Sequence, residues 1–268
     1  MDYKDQDEFE HCDEQLWRYV DLWKFVDLIA NRKLHLTKLF DFEDKHEGCL
    51  PRLDTPYYIE DEVKEAMARN PQANEDVERE YVRQQIRNGN RFRRNSFASC
   101  WFASDYQSAA MWQLYCPHSL GVAIQSTERD LDAALDQPGA PGYMFEPVHY
   151  IDYEWGSMYD LQKEIRERRN DAYVLSPVQC KRKEFEHERE WRVSMVAQEV
   201  DGKLLGITPD ADPFEPFIRL DVDPNILIKR ILLPPKCQLW QIDIVKKLIE
   251  PYGIQAPIQM SGLLNLPD

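Results

Sequence analysis

The chain has 268 residues, with 48 acidic against 33 basic side chains and a formal net charge of -15, a balance that disfavours sequence-independent grip on a phosphate backbone. Hydrophobic residues make up 43% and aromatics 12%, which excludes a disordered chain and suffices for one globular domain spanning residues 1–268. The 6 cysteines (Cys12, Cys49, Cys100, Cys116, Cys180, Cys237) show no Cys-x-x-Cys spacing, so they read as reduced structural thiols and not as zinc ligands, and no metal is expected.

In chain order, residues 1–14 form an acidic, polar lead-in without the basic start and apolar run of a secretory signal. Leu16 to Val20 predicts a strand with Arg18 as its polar insertion. Leu22, Phe25, Val26, Leu28 and Ile29 then recur at helical spacing, Asn31 is a stop, and Lys33 to Thr37 predicts a second strand. Leu39 to Gly48 is a polar-aromatic loop, followed by a proline-bounded segment through Pro56. Residues 57–95 read as a charged helical insertion of two amphipathic helices, the second from Asn74 to about Asn88. Ser96 to Ser104 predicts a buried strand, and a helix capped near Ser104 or Asp105 carries Ala109, Met111, Trp112 and Tyr115. Leu120 to Ile124 is a strand, Ser126 or Thr127 caps a helix through Leu135, and Val148 to Tyr153 is a strand. Ser157 to about Tyr173 is a charged helix, Asp201-Gly202 a turn, Phe217 to Leu220 a strand, Asn225 to Leu233 a strand and Leu239 to Tyr252 a closing helix.

Strands and helices mix without a regular βαβ alternation. The class predicted is α+β, a twisted, largely antiparallel sheet with flanking helices. No run approaches about 18 apolar residues, so a cytoplasmic chain without a membrane partner is expected. No Gly-x-Gly-x-x-Gly or phosphate-loop pattern occurs.

Two stretches concentrate charge. Arg83, Arg87, Arg91, Arg93 and Arg94 crowd one short segment, readable as a solvated helix end or as an anion site for a phosphate or nucleic acid. Between Lys183 and Val196, strict alternation puts Trp191, Val193 and Met195 on one face of a strand. Glu188, Glu190, Arg192 and Ser194 fall on the other. That polar face reads either as an edge strand charged against edge-to-edge pairing or as a cleft-facing acidic pair.

Four separated segments resemble a bacterial domain-of-unknown-function family, DUF2971: Leu16 to Tyr19; Phe42 to Gly48; Ser99-Cys100-Trp101 with Ala110-Met111-Trp112, Tyr115 and Gly121 to Ile124; and Lys183 with Phe185-x-x-Glu188-x-Glu190-Trp191-Arg192. The resemblance runs from about residue 16 to 235. Where the second motif usually has Pro and Phe, this chain has Lys45 and His46. More distantly, the layout is similar to the ADP-ribosyltransferase-like superfamily, whose sheet is split and which uses an early Arg or His, a middle Ser or Tyr and a late Glu.

That likeness implies Glu190, Glu188 and Arg18 as catalytic candidates, with Ser104 or Ser126 in the middle position. It implies NAD as substrate, cleaved by ADP-ribose transfer or hydrolysis, in a toxin or phage-defence effector with a protein or nucleic-acid acceptor. The residue types suit the chemistry. Arg18 or Arg192 fits a pyrophosphate bidentately, Tyr19, Trp101, Trp112 and Tyr115 offer stacking surfaces for nicotinamide or adenine, and a carboxylate stabilises an oxocarbenium-like centre. The alternative is a non-catalytic module that binds a nucleotide-like ligand or a protein, with the same Arg and Glu residues as structural ion pairs and the tryptophans as core. Glu47 reads as a loop or cap residue.

Overall fold

Alternation and capping chemistry account for the elements of the computed structural model, which describes residues 13–54, 63–64, 67–72, 74–117, 121–200, 203–205 and 215–264. Strand β1 (Gln15–Asp21) runs into helix α1 (Leu22–Asn31), where Asp21 accepts the Lys24 N–H as cap. Arg32, in the left-handed region at φ 53°, ends the helix before β2 (Lys33–Lys38). Helix α2 (Glu75–Asn95) has the expected Asn74 cap but continues past Asn88, carrying Arg93 into a buried position. Then come β3 (Ser96–Ala103), α3 (Ala109–Tyr115), β4 (Gly121–Thr127) and α4 (Glu128–Leu135). Helix α3 starts later than expected because Ser108, not Ser104 or Asp105, accepts the Met111 N–H.

Strands β5 (Met144–Pro147) and β6 (His149–Ile151) precede α5 (Met158–Arg169), which stops at Asn170 (φ 51°), short of the expected Tyr173. Strands β7 (Cys180–Arg182), β8 (Glu190–Val196), β9 (Gln198–Val200), β10 (Lys203–Leu205) and β11 (Phe217–Asp221) follow. The strand expected from Asn225 to Leu233 is divided. Asp223 caps a short helix, α6 (Pro224–Leu227), and only β12 (Arg230–Leu233) is extended. The closing helix α7 (Leu239–Ile249) gives way to a 3-10 turn at Pro251 before β13 (Ile258–Met260). The lead-in up to residue 12, Pro56, most of the first charged helix, Leu120 and the Asp201-Gly202 turn lie outside the described residues.

The chain divides into two compact units, residues 1–35, 100–140 and 219–268, and residues 36–99 and 141–218. In the first, β1 lies between β3 (Leu16 opposite Ala103) and β4 (Leu16 opposite Ser126), both antiparallel. Strand β4 pairs antiparallel with β12 (Ile124 opposite Ile231), and β12 pairs in parallel with β13 (Ile231 opposite Ile258). Trp17, Tyr19, Met111, Trp112, Cys116, Ala123 and Leu232 form one core cluster there. In the second unit β2 pairs with β3 at Thr37 and Ala98, β5 with β8, and β9 with β10, all antiparallel, while β6 and β7 run parallel. Its cores gather Ile151, Tyr153, Met158, Ile165, Leu175 and Cys180, and separately Leu39, Ala98 and Val178. The fold is α+β with largely antiparallel pairing, as the sequence predicts. No helix of the described residues is long and apolar enough to cross a membrane.

Gly121 marks a tight approach in the first unit. A Cβ there would press on the Val20 carbonyl and sit 2.6 Å from Cys116 Sγ. Gly121→Ala is therefore expected to cost about 1–3 kcal/mol through overpacking, read as a lower denaturant midpoint with unchanged slope.

Candidate functional site

The strand that carries Glu190 is not an edge. β8 pairs with both β5 and β3, which overturns the charged-edge reading. Its polar face is also buried: Glu190 is 5% exposed, and Arg192 and Ser194 are each 0% exposed. Glu188 is not on the strand at all. It closes a 3-10 turn (Lys183–Glu188), after which Arg189 takes a left-handed conformation at φ 40°. That reversal lets Glu188 and Glu190 approach one lysine, Lys181 on β7.

Five charged side chains of the second unit meet here. Lys181 Nζ lies 2.5 Å from Glu188 Oε2, 2.7 Å from Glu190 Oε1 and 3.2 Å from Glu47 Oε1. Arg192 donates from Nε to Glu190 Oε2 at 2.7 Å, from Nη2 to Glu47 Oε1 at 3.0 Å and from Nη1 to the Val178 carbonyl at 2.7 Å. The Glu190 amide donates to Tyr150 Oη at 2.8 Å. Phe185, from the same 3-10 turn, offers its ring to Lys181 at 4.8 Å and to Arg182 at 5.2 Å, and Arg182 pairs with Asp44 at 3.0 Å. Arg93 borders the cluster, donating from Nε to the Glu47 carbonyl at 2.7 Å.

Three carboxylates share two cations directly, with the Arg93 guanidinium at the border. Glu188 is the carboxyl that this setting raises. Burial, and then its hydrogen bond to the Glu190 carboxylate, push it up to about 8. Glu190 moves the other way: burial would raise it, but Arg192 and Lys181 hold it well below the usual carboxylate range. Lys181, against the penalty of burial, is raised by Glu190 and Glu47.

The stability linkage has a definite sign. A carboxyl whose pKa is raised on folding contributes stability fully below its unfolded value of 4.5, and that contribution is lost as pH rises towards about 8. Glu188→Gln mimics the protonated acid and removes this dependence. The melting advantage of the native chain over Glu188→Gln is expected to shrink between pH 5 and pH 8, by on the order of 5 °C.

The other predicted site residues lie in the first unit. Arg18 donates from Nη2 to the His35 carbonyl at 2.9 Å and sits over the Trp101 ring at 5.6 Å. Burial lowers its pKa to about 10, while Cys100 and Asp21 oppose the shift. The cavity beside it measures about 10 Å³, the room of one water. Tyr19 and Trp112 pack edge to face at 5.1 Å, and Tyr19 Oη accepts the Ser108 N–H at 2.7 Å. Trp101 is buried and Tyr115 half exposed. Ser104 receives the Trp17 indole N–H on its carbonyl and the Tyr106 N–H on its hydroxyl, whereas Ser126 is fully buried. Glu188, Glu190 and Arg192 are thus brought together, while Arg18, Tyr19, Trp101, Ser104, Trp112 and Tyr115 belong to the other unit.

Sequence reasoning missed Lys181 and treated Glu47 as a loop residue. The usable signal was electrostatic: a Glu-x-Glu-x-Arg face that is to be buried needs a second cation, and Lys181 stands in an alternating segment close before it. The arginine-rich stretch is largely paired within itself and its surroundings. Arg87 bonds Glu80 at 2.6 Å, Arg83 lies 3.9 Å from the same carboxylate, and Arg94 stacks on Phe40 at 4.8 Å.

Residues 111–193 match the family model described as Protein of unknown function (DUF2971), a narrower span than the sequence resemblance suggests. Lys181, Glu188, Glu190 and Arg192 fall inside it and Glu47 outside. No curated protein and no solved structure matches the chain.

Proposed function

We propose that this chain is a non-catalytic recognition module for a protein or nucleotide-like partner, and that the charge cluster is a structural lock of its second unit. One observation carries this reading. Both carboxylate oxygens of Glu190 are held by cations of its own unit, Lys181 and Arg192, and the residue is 5% exposed. A ribose hydroxyl would have to displace an ion pair inside a buried network, at a cost of several kcal/mol.

A second reading is supported by two carboxylates, Glu188 and Glu190, meeting on one ammonium, Lys181, at 2.5 and 2.7 Å, with Glu188 raised and Glu190 lowered from the usual range, an arrangement suited to acid and nucleophile or stabiliser roles on paired carboxylates. On that reading the chain is an ADP-ribosyltransferase-type enzyme that transfers ADP-ribose from NAD or hydrolyses NAD, as a toxin or phage-defence effector. Calorimetric titration of the folded chain with NAD, with an assay for free nicotinamide, separates the two. The module reading expects no nicotinamide. Release that disappears in Glu190→Gln while NAD still binds would replace it with the enzyme reading.

A further inference from the structure

The outer side of β13 is a sheet edge without a partner strand among the described residues. This strand ends the order β4, β12, β13, and its ladder with β12 reaches from the Pro257 carbonyl, which accepts the Ile231 N–H, to the Ser261 N–H, which donates to the Leu233 carbonyl. Along a parallel ladder successive residues alternate the direction of their backbone groups. With residues 257, 259 and 261 turned to β12, the N–H and C=O of Ile258 and Met260 point away from it. No described residue hydrogen-bonds these groups.

Beside this edge lies a groove of about 450 Å³ between the end of α7 and the approach to β13, within the size range of ligand-binding clefts. Ile249, Ile254 and Ile258 contribute apolar surface, and Lys246, Lys247 and Glu250 are its charged lining. Neither lysine forms an ion pair with any described residue. On α7, Trp240 (61% exposed) and Ile244 (53% exposed) precede Lys247 at the i, i+4, i+7 spacing of one helix face. Met260, on the same face of β13 as Ile258, is a further exposed apolar side chain.

We infer that an extended, acidic segment of a partner protein docks here, adding a strand to β13, seating an apolar side chain in the groove and setting carboxylates against Lys246 and Lys247. Backbone pairing supplies affinity, and alternate side chains supply selectivity, as in other strand-addition complexes. Charge chooses the occupant: two lysines without an ion pair among the described residues, against the one carboxylate of Glu250, leave the groove net positive and call for acidic residues. The inference deepens the recognition reading above and rests on it for its biological sense.

The test is selection of a phage-displayed random dodecapeptide library on the full chain. Enriched peptides are expected to be acidic and to alternate apolar residues. Their affinity should fall by about tenfold or more in Met260→Pro, which removes one outward N–H from the edge, and in the double variant Lys246→Glu/Lys247→Glu. The double variant changes exposed side chains only, so it keeps the test valid should the proline variant fail to fold. An empty selection, enriched peptides without acidic bias, or undiminished binding to the folded variants overturns the edge site. Those failures leave the nicotinamide result untouched, and nicotinamide release lost in Glu190→Gln overturns the non-catalytic reading whatever the library returns.

Discussion

Replacing Arg192 by Met is expected to lower the unfolding free energy by about 3–5 kcal/mol and the melting temperature by on the order of 10 °C. Arg192 is 0% exposed, and its guanidinium serves Glu190, Glu47 and the Val178 carbonyl together. Methionine fills much of the same volume, so the loss is electrostatic more than steric. It strands two carboxylates and a carbonyl in a low-dielectric interior without the donors that offset their desolvation. Chemical denaturation followed by far-UV circular dichroism reads the change directly. A loss below about 1 kcal/mol, the range of exposed pairs, would mean that water reaches the cluster and screens it.

Lys181→Met is expected to be comparably severe at pH 8 and milder at pH 5. Its ammonium is the shared partner of Glu188, Glu190 and Glu47, and without it those carboxylates repel one another. Glu188 must then rise further, and Glu190 loses part of what holds it low. A raised carboxyl pKa contributes stability only at low pH and withdraws it as pH rises, so the variant recovers towards acid. The loss at pH 8 is on the order of 3–5 kcal/mol, measured as the difference in unfolding free energy between the variant and the native chain at the two pH values. Equal losses at pH 5 and pH 8 would show that the lysine is not balancing ionised carboxylates.

Much of the fold is legible in the sequence because the signals are local. Asn74, Thr127 and Ser157 each cap the helix that follows, and helix caps are decided within three residues. The errors arise where a distant or backbone-specific feature wins. Ser108 takes the cap of α3 from Ser104, whose hydroxyl accepts the nearby Tyr106 N–H instead. The segment from Asn225 looked like a strand from its branched residues, yet Asp223 and Pro224 start a helical turn there. Strands β5, β7, β9, β10 and β13 are not predicted, since a strand of three or four residues carries too short an alternation to register.

The candidate site was half legible. Alternation correctly puts Glu190, Arg192 and Ser194 on one face but does not say which face is buried, because an edge strand and an interior strand with an ion network share the same pattern. The left-handed Arg189 breaks the register that would have placed Glu188 on the strand. Glu47 precedes Gly48, a glycine at φ 71° whose Cβ would strike Leu39, and only that turn brings the loop back to Arg192. Contacts over 145 residues of separation, as between Glu47 and Arg192, leave no local periodicity to read.

Glu190 is proposed to serve the structure and not a reaction. Thermal melting of Glu190→Gln at pH 7 tests it most directly, since removal of a structural anion destabilises whereas removal of a catalytic one often stabilises. The expected result is a fall of on the order of 10 °C, from Lys181 and Arg192 left short of negative charge. A folded variant that melts at or above the native temperature would contradict it.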